Sequence, residues 1–129
     1  VSSSAASDVY KRQMLANVFF EHNILELSTK NRDGFHIFLS EIIATFGLIF
    51  IIFATLKDGK ITIAASVATY IMAGYWFTSS TSFANPAVAI ARTFTDSFTG
   101  INYMNTPTYI LAEFLGALIA VFLIKKLIK

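Results

Sequence analysis

Residues 36–56 (HIFLSEIIATFGLIFIIFATL) are apolar apart from Ser40, Glu41 and Thr45. A run of that length matches the roughly 17–25 residues that a helix needs to cross a bilayer. It stops at Lys57-Asp58-Gly59-Lys60, a tight charged turn. A second apolar run covers about residues 61–77 and a third about residues 108–128, so most of the chain is committed to lipid-compatible helices and little is left for a water-soluble core. Composition agrees: 55% of the 129 residues are hydrophobic and 14% charged, against about 25% charged in an ordinary soluble domain. The expected surroundings are a lipid bilayer.

Several function classes drop out on the same grounds. A net charge of +2 spread thinly along the chain makes no basic stripe for nucleic acid. The chain has no cysteine, hence neither a disulfide framework nor thiolate metal ligands, and two isolated histidines do not make a zinc site unaided. No cofactor is called for. Residues 1–13 (VSSSAASDVYKRQ) are polar and lack the apolar core of a secretory signal. They resemble translated adapter sequence, an added linker or a disordered tail, and are set aside from the fold. Met14 to Phe20 is apolar but too short to span, as though it ended a helix that began earlier, and residues 21–34 read as a polar loop outside the membrane.

Packing and orientation are also written in the chain. Ala65, Thr69 and Ala73 recur every four residues in the second span, as do Ala112, Gly116 and Ala120 in the third. Such small-residue faces let a neighbouring helix come close. Lys57, Lys60, Lys125, Lys126 and Lys129 fall at one end of the spans with only Asp58 against them, which marks that end, and the C-terminus, as cytoplasmic.

The connection from residue 78 to 107 is too long for a plain loop. Within it lies Ser82-Phe83-Ala84-Asn85-Pro86-Ala87-Val88-Ala89-Ile90-Ala91-Arg92. Asn is a preferred N-cap and Pro a preferred first helical residue, so Asn85-Pro86 starts a helix. Running over about residues 85–94, it covers only half of a roughly 30 Å hydrocarbon core. Non-helical backbone at that depth is tolerated where it is buried in protein or lines a wet cavity, so the polar run before this half-helix implies a pore or a substrate site. As N-cap, Asn85 uses its side-chain oxygen on a backbone N–H and keeps its amide as a donor for a passing molecule. The helix terminus adds about half a positive charge, which opposes cations and tolerates neutral solutes.

Asn85-Pro86-Ala87 in a re-entrant segment, between a small-residue helix and a last helix bearing Phe114-Leu115-Gly116-Ala117, resembles the second half of an aquaporin, the major intrinsic protein family. With Glu41 in the preceding span, the resemblance covers about residues 14–129. The run from Thr81 to Arg92 is most similar to bacterial aquaporins associated with arsenic resistance. The resemblance implies an all-α membrane protein: half of an inverted-repeat bundle, with three transmembrane helices and one re-entrant half-helix. Its partners would be the missing N-terminal half, further copies in a homotetramer and small neutral solutes, in a bacterial inner membrane. Glu41 would then brace the re-entrant loop by accepting its backbone N–H groups, and a proton relay is the competing role. Glu113, where the family usually has a neutral polar residue, reads as a wet or hydrogen-bonded acid near the outer end of the last span.

One departure stands out. Where the family's water channels carry Arg directly after the Asn-Pro-Ala triplet and His on the fifth helix, this chain has Val88 and Ala73, or Gly74 if the loop is shifted by one. With Ser82 as the loop position, that selectivity filter holds nothing bulky or charged, so solutes larger than water should pass. Arg92, one turn beyond Val88, reaches the outer mouth or snorkels at the interface with equal ease. The expected function is therefore a passive channel for water, glycerol-like polyols or neutral metalloid acids such as arsenous acid. A non-channel membrane subunit is the alternative. A membrane enzyme finds little support, because Glu41 and Glu113 are the only acids at depth and lie on different helices without a nucleophile or metal constellation.

Overall fold

The computed structural model describes residues 3–127, which leaves Val1, Ser2, Ile128 and Lys129 of the segments discussed above outside the described residues. The described chain is helical, without strands. In order it forms α1 (Ser3–Phe19), α2 (Phe35–Thr55), α3 (Lys60–Phe77), α4 (Pro86–Arg92) and α5 (Thr106–Leu127). A 3-10 turn, Leu56–Asp58, and Gly59 at φ 89° fold α2 back into α3, so the charged turn reverses the chain within a few residues.

α2 extended through the 3-10 turn (Phe35–Asp58) and α5 are long and apolar enough to cross a membrane, and the protein is an integral membrane protein. They also make the most extensive helix contact in the chain. Ala112, Gly116 and Ala120 of α5 are buried against a face of α2 that includes Glu41, Ala44, Thr45 and Leu48. Gly116 decides how close the pair comes: a Cβ there would lie 2.5 Å from the Ile42 carbonyl oxygen and 3.0 Å from Thr45 Cβ. The outward faces, with Ile43, Phe50 and Phe53 on α2 and Leu111, Phe114, Leu118 and Phe122 on α5, are left exposed, as lipid-facing surfaces are.

α3 packs against α2, where the Tyr70 hydroxyl donates to the Ala44 carbonyl at 2.7 Å. Its Ala65, Thr69 and Ala73, together with Ile51, Ala54 and Thr55, line an open groove between α2 and α3. α1 is continuous from Ser3, so residues 3–13 belong to the same helix as the apolar end, and it packs on α4. Asn17 near its end is buried and donates to the carbonyls of Ile24 and Phe94 at 3.1 and 3.0 Å.

Residues 20–34 form no helix and lie along residues 93–105. Ser28 N–H donates to Thr93 O at 2.9 Å and Asn102 N–H to Lys30 O at 2.8 Å. Arg32 fastens this strap from inside: it is 6% exposed, and its Nε and Nη2 donate to the carbonyls of Gly100 and Phe98, each at 2.8 Å.

Candidate functional site: a strained loop between two buried acids

The segment that leads into α4 begins where Thr78 ends α3, with its N–H and its hydroxyl both on the Gly74 carbonyl. Ser80, Thr81, Ser82, Phe83 and Ala84 are then all buried. Three of them, Thr81, Ser82 and Ala84, have left-handed φ values of 63°, 53° and 50°. A residue with a Cβ pays about 1–2 kcal/mol to sit there, so the loop holds this shape only because its surroundings impose it.

Those surroundings are polar groups set on rigid helices. From α2, the Ser40 hydroxyl accepts the Ser79 N–H at 3.1 Å and Glu41 Oε1 accepts the Ala84 N–H. From α5, the Tyr109 hydroxyl donates to the Ser80 carbonyl at 3.0 Å and Glu113 Oε1 accepts the Asn85 N–H at 3.1 Å. The Phe83 ring sits 5.1 Å from the Tyr109 ring, with the Arg32 guanidinium 5.4 Å from its centre. Glu41 and Glu113 are 0% and 2% exposed, so Glu113 is a hydrogen-bonded acid and not a wet one. Hydrogen bonds of this kind contribute about 0.5–1.5 kcal/mol each, and about 1.5–3 kcal/mol where the acceptor is charged, which opposes the strain of the loop.

Asn85 is extended, and its Oδ1 accepts the Ala87 N–H at 2.8 Å, with Pro86 as the first helical residue. α4 ends at Arg92, two residues before the expected 94. Thr93 and Phe94 instead bond back three residues, to the carbonyls of Ile90 and Ala91 at 3.1 Å each, which tightens the last turn. The Thr93 hydroxyl meets Thr106 Oγ1 at 3.0 Å and ties the end of α4 to the start of α5.

The proposed filter positions fall in different places. Ser82 faces Gly74 and not Ala73: a Cβ on Gly74 would lie 2.6 Å from Ser82 Cβ and Oγ. Ser82 Oγ is buried and finds no hydrogen-bond partner among the described residues. Ala73, one residue away and so about 100° around the helix, lines the open groove. Val88 is half-buried, packs on the cluster of Phe83, Ala89, Ile101 and Tyr109, and lines a separate cavity of about 300 Å³ with Arg92. Arg92 donates through Nη1 to Gln13 Oε1 at 2.7 Å and Thr99 Oγ1 at 3.3 Å, and borders a second cavity of about 430 Å³ with His22, Thr95 and Ser97. Among the described residues, no three His, Asp or Glu side chains gather as metal ligands.

Sequence reasoning passed over Glu113, Tyr109 and Arg32 as parts of this site. The burial of Glu113 had one visible signal, a carboxylate directly after Ala112 and three residues before Gly116 on a span; Arg32 had none. No family model and no solved structure matches the chain. Aquaglyceroporin AqpS of Rhizobium meliloti (strain 1021) is 44% identical to it over 115 residues, which make up 89% of this chain and 49% of that relative. The chain thus spans about half the length of the curated relative it matches. On that identity, and with the features above in the order the family requires, the chain belongs to the aquaporin (major intrinsic protein) family.

Proposed function

We propose that this chain is the C-terminal half of a passive channel for small uncharged solutes, with α2, α3 and α5 as its three spans and the loop with α4 as its re-entrant half. The observation that carries the reading is Asn85: its Oδ1 is spent on Ala87 N–H and its backbone N–H on Glu113, so the side-chain amide remains to orient a solute. A donor fixed on both sides needs no reorganisation when a solute oxygen arrives. Similarity to an aquaglyceroporin supports the solute class. The absence of a bulky or cationic residue at Ser82, Val88 and the Ala73–Gly74 corner supports glycerol-like polyols and neutral metalloid acids alongside water.

The open groove of α3 supports a missing N-terminal half that would close the pore, in a complete protein assembled as a homotetramer in a bacterial inner membrane. Lys57, Lys60, Lys125 and Lys126 place the C-terminus on the cytoplasmic side in this reading. Reconstituting the full-length protein in liposomes and measuring swelling under an inward glycerol gradient tests it. Swelling well above that of empty liposomes, without saturation, is the expected result. Swelling equal to empty liposomes would leave a structural subunit.

A further inference from the structure

Glu41 and Glu113 reach the loop from different helices and hold consecutive amides, those of Ala84 and Asn85. Because those amides are neighbours in the chain, the two buried carboxyl groups face one short piece of backbone side by side. Each nevertheless keeps one buried oxygen, Oε2, that no donor among the described residues satisfies. Two ionised carboxylates so placed would repel one another through a low-dielectric interior. The other ionisable groups that face them are already committed. Tyr70 of α3 gives its hydroxyl to Ala44 O, and Tyr109 of α5 gives its own to Ser80 O. Arg32, from the strap before α2, spends Nε and Nη2 on Gly100 and Phe98 carbonyls. Among the described residues no cation bonds either acid.

We propose that Glu41 and Glu113 share a single proton, forming a hydrogen-bonded acid–carboxylate pair that fixes the loop at Ala84 and Asn85. The charge rests on Glu41, which holds the Ala84 N–H and faces the polar Ser80–Phe83 stretch of the loop. The proton rests on Glu113, which among the described residues holds the Asn85 N–H alone. One proton then gives a bare oxygen on each acid its partner and removes the repulsion, with nothing else required from the surroundings. Glu113 becomes a positioning residue for Asn85. Taking the proton away sets two like charges side by side, and the pair can separate only by pulling on the amides it holds. This deepens the channel reading, since Asn85 is what the pair positions, yet its first test needs no transport.

The test is infrared spectroscopy of the purified full-length protein near neutral pH, compared with its Glu113→Gln variant. The shared proton predicts a carbonyl band of a protonated carboxylic acid that is lost in the variant, and that disappears from the wild type as the pH is raised into the alkaline range. Identical carboxyl regions in the two proteins would overturn it. Should Glu113→Gln fail to fold, the wild-type titration decides alone, and a spectrum without any protonated carboxyl, or with one that never titrates, would overturn it too. In liposomes, wild-type solute flux should fall reversibly at alkaline pH, whereas the variant, which has no proton to lose there, should show no such fall. Equal alkaline profiles would sink the link to the loop. An infrared band that behaves as predicted in a protein that does not speed swelling at any pH would uphold the pair and refute the channel.

Discussion

α5 and α3 carry the same sequence device, small residues every four positions, and it ends in opposite environments. Ala112, Gly116 and Ala120 are sealed against α2, while Ala65, Thr69 and Ala73 border an open groove. The difference teaches that a small-residue stripe specifies close approach but not by whom. On α5 the partner is in this chain, and the crossing it permits brings Glu113 beside Glu41, both within reach of the loop. On α3 the stripe borders a groove whose other wall is Ile51, Ala54 and Thr55 of α2. One side of the molecule is thus sealed around the loop, and the other is open among the described residues.

The comparison can be broken most forcefully at Gly116. Gly116→Leu has no room, because its Cβ alone would meet the Ile42 carbonyl, and overpacking of this kind costs about 1–3 kcal/mol or more. We expect the yield of folded full-length protein, read by size exclusion in detergent, to collapse; a normal elution profile would mean that α2 and α5 do not cross there. Glu41→Gln comes next. It keeps an acceptor oxygen but gives up the charge, so the bond to Ala84 N–H should lose about 1.5–3 kcal/mol, seen as a lower melting temperature. Normal stability with a pH-dependent change in transport would instead favour a proton-carrying role for Glu41.

The open side is probed by Thr69→Leu. If the groove receives a helix in the complete protein, the added bulk should cost about 1 kcal/mol, less than at Gly116 because only side chains must give. A melting temperature unchanged from wild type would show that lipid fills the groove. The smallest effect is expected outside the membrane, at Asp96. The Thr29 N–H and hydroxyl bond to its carboxylate at 3.1 and 3.0 Å and hold it below the usual carboxylate range. A lowered value in the folded state means that this contribution is present above the unfolded value and is lost as the pH falls through the folded one. Asp96→Asn should therefore flatten a slight acid-side decline in melting temperature. Parallel pH curves for the two proteins would show that the Asp96–Thr29 contact adds nothing.

Much of this was legible in the residues themselves because it depends on local chemistry. The long apolar runs fixed α2 and α5, the charged turn at Lys57-Asp58-Gly59-Lys60 reversed the chain, and Asn85-Pro86 announced the start of α4. What was not legible depends on distant contacts. Nothing near Glu113 reveals that a backbone amide 28 residues away needs it. Nothing near Arg32 points to carbonyls at Phe98 and Gly100. The left-handed conformations of Thr81, Ser82 and Ala84 lacked the usual signal, since no glycine occupies them. The Ala73–Gly74 ambiguity is a matter of helical phase: one residue is about 100°, the difference between facing Ser82 and facing the groove. Residues 3–13 looked like a tail by their polarity, yet alanine and the longer side chains among them are compatible with the helix they form.

The central claim is that solutes pass between Asn85 and a filter left wide by Val88. Stopped-flow swelling of liposomes that contain the full-length protein, with water and glycerol measured on wild type and Val88→Arg, tests it most directly. The arginine adds volume and a permanent charge at that point, and its donors compete for the solute. Glycerol flux should fall sharply while water flux, carried by a molecule about 2.8 Å across judged by its O···O spacing, falls much less. An equal loss of both would contradict a size filter at Val88, and two unchanged fluxes would place Val88 outside the pore.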